Sequence, residues 1–249
     1  MYATARRALR TLKRKLRTEN DSAFLPLLRG VIHVGANSGQ ERALYDSYRL
    51  PVLWIEPIPE VFATLQRNIA SYPDQRAVQA LVADTDGAEV DFHVASNDGA
   101  SSSMLEMASH KDIWPTVGFN RSVRMTTRTL AGVVAAAGLD MARYNGLIMD
   151  TQGSELLVLQ GGVPLLHHFD FVKTEVADFE SYKGCCQLSD LGPFMDQHGF
   201  DEFARHRFRN LEPGKAYYDV VYRRRPESIV PIAAGAGRSL NPSALQTSP

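Results

Sequence analysis

Two short segments carry the residue types best suited to holding a small-molecule ligand. The first, Gly35-Ala36-Asn37-Ser38-Gly39, directly follows the apolar run Val31-Ile32-His33-Val34. Glycine in such a turn lets the backbone bend sharply and approach a ligand closely, and Asn tolerates the left-handed conformation better than most residues. The second is Glu56, which closes the apolar run Val52-Leu53-Trp54-Ile55 and lies 17 residues after Gly39. A carboxylate at that place can accept hydrogen bonds from both hydroxyls of a ribose. A Gly-x-Gly-x-x-Gly dinucleotide fingerprint is not matched, because position 37 is Asn and position 40 is Gln. Without the close-approach glycine, an adenosine cofactor lacking phosphates fits better than a pyrophosphate. A plain glycine turn beside a solvated glutamate stays open as the alternative.

The elements that must position these groups follow from hydrophobic periodicity. The spacing predicts strands at 31–34, 52–55, about 78–83, 90–94, 123–128, 147–149, 171–176, about 200–207 and 217–224. Helices are predicted at 39–49, from Pro59 through Ile69, at 129–138, about 154–168 and 188–198. Strands separated by helices of this length imply an α/β fold, with a Rossmann-like, doubly wound, mostly parallel seven-stranded sheet. Only a loop separates the last two strands, so one C-terminal strand is expected to be antiparallel. An inserted hairpin and the long Ser-, Gly- and Asn-rich loop 96–122 complete the domain, and the loop's length suggests a functional lid. Ligands in such sheets sit beyond the carboxyl ends of the strands, which singles out Asp84, Asp150 and Glu175 beside the first loop and Glu56.

Composition gives these elements an ordinary globular character: 44% of residues are apolar and 22% charged over 249 residues. No run approaches the roughly 18 apolar residues of a membrane span. The start lacks the apolar core of a secretory signal, so a cytoplasmic location is expected. Residues 1–17 carry seven cations and no acid, which leaves −8 on the remainder given the net charge of −1. An acidic body argues against a broad nucleic-acid groove. We expect three regions: a basic amphipathic helix within 1–29, a catalytic domain over 30–225 and a disordered tail over 226–249. The basic helix either packs a thin apolar stripe on the domain or frays, or it touches an anionic membrane or nucleic acid. Cys185 and Cys186 are adjacent and read as ordinary thiols, and His167-His168 reads as a favourable helix end.

Val-Gly-Ala-Asn-Ser-Gly-Gln at 34–40, Glu56-Pro57 followed by Val61-Phe62 and Leu65–Asn68, Asp150-x-Gln-Gly-x-Glu at 150–155 and Leu159-x-Gly-Gly occur in order. In these segments the chain resembles the FkbM family of methyltransferases, from about residue 30 to 224. The resemblance implies a class I fold that uses S-adenosylmethionine and methylates hydroxyls of sugars, glycolipids or polyketide-like natural products. It implies that His33, Gly35, Ala36, Asn37, Gly39 and Glu56 bind the cofactor, with Asp84 near its adenine. Two departures are evident. His33 stands where the family usually has Asp, which changes how the cofactor's amino group is held. Ile148 stands where Lys is frequent, which removes a cation near the catalytic acid.

Methyl transfer to a hydroxyl requires alignment of the reactants and a group to take the alcohol's proton. Asp150 is the expected base or acceptor-positioning group, with Glu175 assisting from the adjacent strand. Ser102, Gln152 and Trp114 are expected to contact the acceptor, and Glu155 either serves the helix N-terminus or joins the site. No dedicated metal site is expected, although Asp150, Glu175 and Gln152 together would also suit a divalent cation such as magnesium. The Asn/Asp-Pro-Pro-Tyr/Phe signature of amine methylation is absent, since residues 150–153 read Asp-Thr-Gln-Gly. The competing readings are N-methylation or a macromolecular acceptor, and a non-catalytic fold member that binds a partner. Oligomeric state has no signature in the sequence.

Overall fold

A computed structural model describes residues 22–210 and 215–226. Of the expected basic helical region 1–29, residues 1–21 lie outside the described residues, as does nearly all of the tail expected over 226–249; Leu25–Leu27 form a single 3₁₀ turn. Ten strands form two sheets: β1 (Val31–Val34), β2 (Val52–Ile55), β3 (Gln75–Val78), β4 (Leu81–Ala83), β5 (Glu89–Ala95), β6 (Phe119–Thr129), β7 (Gly146–Met149), β8 (Phe171–Ala177), β9 (Phe200–Asn210) and β10 (Ala216–Arg224). The α-helices are α1 (Arg42–Ser47), α2 (Pro59–Ile69), α3 (His110–Ile113), α4 (Leu130–Ala136), α5 (Glu155–Gly161) and α6 (Leu188–Gln197).

The main sheet has seven strands in the order β3-β2-β1-β7-β8-β10-β9. β3, β2, β1, β7 and β8 run parallel, and β10 is antiparallel to both of its neighbours, β8 and β9. The expected doubly wound sheet with one antiparallel C-terminal strand is what forms. The order reverses between β1 and β7, which opens a crevice at the carboxyl ends of those strands.

β1, β2 and β7 are buried along their whole length, as strands covered on both faces must be. Alternation of side chains divides them between two cores. Ile32, Val34, Leu53, Ile55, Leu147 and Met149 pack beneath α4, α5 and α6. Val31, Trp54, Ile148, Phe171 and Val221 pack beneath α1, α2 and Phe24. His33 also points to this second face, stacked on Trp54 with ring centroids 5.0 Å apart.

The third predicted strand is split. Gln75–Val78 stays in the main sheet, whereas Leu81–Ala83 leaves it to pair with β6 in a three-stranded sheet ordered β4-β6-β5. Apolar runs on both sides of Gln79-Ala80 look continuous in sequence, and only pairing reveals the change of sheet. β5 and β6 are the expected inserted hairpin, and the long segment joining them contains α3. That segment docks on 178–187: Ala108 and His110 donate backbone N–H groups to the Ser181 carbonyl at 3.0 Å each. The two stretches form one wall over the carboxyl ends of β7 and β8.

Candidate active site

Gly35 takes a left-handed φ of +78° where β1 ends. A Cβ there would stand 1.9 Å from the Asp150 carbonyl oxygen. A close approach that requires glycine is therefore made to the neighbouring strand end, and Gly35 also lines the first of the cavities described below. Gly39, also expected to bind cofactor, instead faces Leu65 of α2, which a Cβ would meet at 2.7 Å. Asn37 adopts φ +44° and donates its side-chain amide to the Asp98 carbonyl, tying the glycine loop to the long insertion.

Glu56 is buried at 4% exposure. One carboxylate oxygen accepts the Asn37 backbone N–H at 2.8 Å, and the other accepts that of Ile58 at 2.9 Å. Burial pushes its carboxyl up to about 7, while the two backbone hydrogen bonds pull the other way. Each oxygen keeps a further lone pair. Two such acceptors, held rigid and aimed into a cavity, suit a vicinal diol.

Asp150, Thr151, Gln152 and Gly153 form a tight turn between β7 and α5. Gln152 and Gly153 both have positive φ, +54° and +102°. Glu155 organises this turn from the buried start of α5. Its carboxylate accepts the backbone N–H groups of Thr151 at 2.9 Å and Gly153 at 3.0 Å, and the Cys186 thiol at 3.4 Å. The Asp-x-Gln-Gly-x-Glu spacing thus has a local cause: the glutamate satisfies the amides of the turn that presents Asp150. Both cysteines are buried free thiols.

Gln152 donates to one oxygen of Asp150 at 2.6 Å, and its own carbonyl oxygen lies 2.8 Å from the Tyr182 hydroxyl. Dense surrounding protein pushes the Asp150 carboxyl up to about 7, opposed by the Gln152 hydrogen bond and reinforced by Glu155, Asp219 and Glu41. The side chain is nevertheless open to cavity space. Water in that space screens the charge, so the full shift belongs to a filled site.

Three cavities converge on Asp150. The first, about 800 Å³ including its mouth, runs from Ile58, Leu81, Val82 and Phe92 past Glu56 and Gly35–Asn37 to His33, Glu41 and Asp150. The second, about 1000 Å³, lies under α1 and is lined by His33, Glu41, Tyr45, Asp150, Lys173, Glu175 and Asp219 among others. A third of about 270 Å³ places Asp150, Gln152 and Glu175 beside Tyr182. Asp150 follows the last β7–β8 pair, Met149 with Thr174, so Glu175 stands beside it as strand order anticipated.

His33 is buried, with its Nδ1 3.1 Å from the Tyr45 hydroxyl. Burial lowers its pKa, with Glu41 opposing and Lys173 assisting, so the ring is neutral near pH 7. Lys173 pairs with Ile148 across β7 and β8 and lies 3.5 Å from Asp219. The cation missing at position 148 is therefore supplied one strand away on the same face.

Not every expected residue reaches the site. Asp84 is exposed and lines none of the three cavities. Trp114 packs instead on His110 and Tyr217, with centroids 4.5 and 5.5 Å apart. Ser102 borders the first cavity, but its hydroxyl accepts the Ala95 N–H at 2.9 Å. Among the described residues no group of three or more His, Cys, Asp or Glu is gathered to hold a metal ion. Glu41, Lys173, Tyr182 and Asp219 were not anticipated. Lys173 had one signal, since it alternates with Glu175 on β8, but the others needed the tertiary contacts.

Comparison with known proteins identifies a family. The Methyltransferase FkbM domain matches residues 33–202. The 2-O-methyltransferase NoeI of Sinorhizobium fredii (strain NBRC 101917 / NGR234) is 28% identical over 162 residues, or 62% of this chain. The match covers 65% of that relative, slightly under two thirds of its length. Among solved structures, the METTL16 MTase domain overlaps with a TM-score of 0.49 at 10% identity, covering 86% of this chain and 67% of that one. Magnesium protoporphyrin IX methyltransferase (ChlM) from Synechocystis PCC 6803, solved with bound SAM, overlaps at 0.45 and 10% identity, covering 87% and 79%. Overlaps this loose say nothing about chemistry.

Proposed function

This chain belongs to the FkbM family of S-adenosylmethionine-dependent methyltransferases, and from that premise we propose that it methylates a hydroxyl oxygen of a sugar, glycolipid or polyketide-like natural product. The residues present fit the cofactor. The apolar wall of Ile58, Leu81, Val82 and Phe92 suits a purine, and the paired acceptors of Glu56 suit a ribose. When bound, the cofactor supplies a methyl group on a sulfonium, already activated for in-line displacement.

The protein's share is alignment and proton removal. Asp150 carries the proposal, because its carboxylate stands where all three cavities meet. An acceptor seated in the second or third cavity brings its hydroxyl to Asp150 and Glu175. Gln152, braced by Tyr182, holds one Asp150 oxygen and leaves the other to receive the hydroxyl proton. A carboxyl near 7 matches that task, being ionised before the reaction and basic enough to take a proton. Glu175 orients the hydroxyl from the neighbouring strand.

A hydroxyl acceptor is also supported by the relative named a 2-O-methyltransferase. The experiment is incubation with methyl-labelled cofactor and a panel of free sugars, glycolipids and phenolic or polyketide alcohols, followed by mass spectrometry. Label in an ether methyl supports the proposal. Label confined to amines or to RNA overturns it.

A further inference from the structure

An S-adenosyl ligand ends, away from its adenine, in an amino acid with an α-ammonium and a carboxylate. The polarity of the first cavity sets which end goes where. Its apolar wall and Glu56 lie at one end, and His33, Glu41 and Asp150 lie at the other. The ammonium therefore needs an anion among the last three.

His33 does not provide it. Burial keeps the ring neutral, and Nδ1 is engaged with Tyr45. Asp150 is held by Gln152 and faces the cavities where an acceptor must enter. Glu41 differs from both. It is half-buried at the start of α1, and its side chain makes no capping bond. Among the described residues its carboxylate has neither a hydrogen bond nor an ion pair. It lines the first two cavities together with His33 and Asp150, which places it over the same space. A half-buried carboxylate without a protein partner, lining the cavity, is free to form a charge-assisted hydrogen bond with an ammonium brought by a ligand.

We propose that Glu41 receives the ligand's α-ammonium, so that the anion His33 does not supply comes from the loop just beyond Gly39. His33 then serves as a neutral floor, fixed between Trp54 and Tyr45. This assignment rests on the S-adenosyl reading of the cavity, and its test separates the two.

Calorimetric titration of the full chain uses three ligands: S-adenosylhomocysteine, its desamino analogue, which lacks only the ammonium, and methylthioadenosine, which lacks the whole amino acid. Glu41→Gln is expected to weaken S-adenosylhomocysteine by about 10- to 100-fold. The same variant should change the other two ligands by less than about twofold, the pattern of a pairwise coupling. Equal binding of S-adenosylhomocysteine by variant and wild type overturns the assignment. Equal losses for all three ligands also overturn it, because Glu41 then acts on the fold of the loop. Failure of the wild type to bind S-adenosylhomocysteine overturns the cofactor reading itself.

Discussion

The Glu56 carboxylate accepts the backbone N–H of Asn37 at 2.8 Å, which joins the loop after β1 to the end of β2 across 19 residues of sequence. The same carboxylate is pushed up to about 7 by burial, with no cation beside it. Hydroxyl donors from a ribose favour its ionised form, so binding must lower that pKa. Near pH 7, binding of S-adenosylhomocysteine is expected to release a fraction of a proton. Affinity should rise as pH goes from 6 to 8. Calorimetry in buffers of different ionisation enthalpy checks this, and Glu56→Gln should abolish the proton release while weakening binding about tenfold or more.

Asp150→Asn keeps the shape of the turn but cannot take a proton. Turnover is expected to fall by about 10²- to 10⁴-fold, with S-adenosylhomocysteine affinity changed less than about threefold. In the wild type, kcat should rise with pH through about 7 and then level, because the shifted carboxyl belongs to the filled site and acts only when ionised. A flat profile between pH 6 and 8 would remove Asp150 as the base.

Tyr182→Phe removes the hydroxyl 2.8 Å from Gln152 Oε1 and leaves the ring in its buried place. That hydroxyl is shared between Gln152 and the Ser101 carbonyl at 3.1 Å, and its loss costs about 0.5–1.5 kcal/mol of stability, readable by urea denaturation. If Tyr182 positions Gln152, kcat should fall several-fold with KM for the cofactor unchanged, and the rate profile should move to higher pH. A stability loss without that shift would make Tyr182 structural only.

Gly35→Ala and Gly87→Ala separate two costs of replacing glycine. Both positions have positive φ, +78° and +83°, but a Cβ at 35 would collide with the Asp150 carbonyl, whereas a Cβ at 87 meets nothing within 4 Å. Gly87→Ala is expected to cost about 1–2 kcal/mol from backbone strain alone. Gly35→Ala should cost at least about 3 kcal/mol and weaken S-adenosylhomocysteine as well, since relief requires β1 and β7 to part at the site. Urea denaturation and calorimetry measure both.

Much of this arrangement was legible in the amino-acid sequence. Fully apolar runs alternating with amphipathic helices dictate a parallel sheet covered on two faces, because only that arrangement buries them and keeps their backbone groups bonded. Parallel order then sends every strand's carboxyl end to one edge. Gly35, Glu56, Asp150 and Glu175 could therefore be placed together from strand ends alone. The few residues between the last two predicted strands also marked an antiparallel pairing, since they leave no room for a crossover helix.

Tertiary structure decided what those residues are paired with. Tyr182 reaches Gln152 across 30 positions, and Lys173 meets Asp219 through the register of β8 and β10. Neither contact has a period to betray it. The departure of β4 from the main sheet carried Asp84 away from the cavity its strand-end position had suggested. His33 looked like a replaced ligand in sequence; enclosure by Trp54 and Tyr45 makes it neutral and leaves Glu41 as the unpaired anion nearby. Residue type and spacing determine which elements form and which edge carries the chemistry. Charge state, pairing and cavity shape depend on desolvation and long-range contact, and those exist only once the chain has folded.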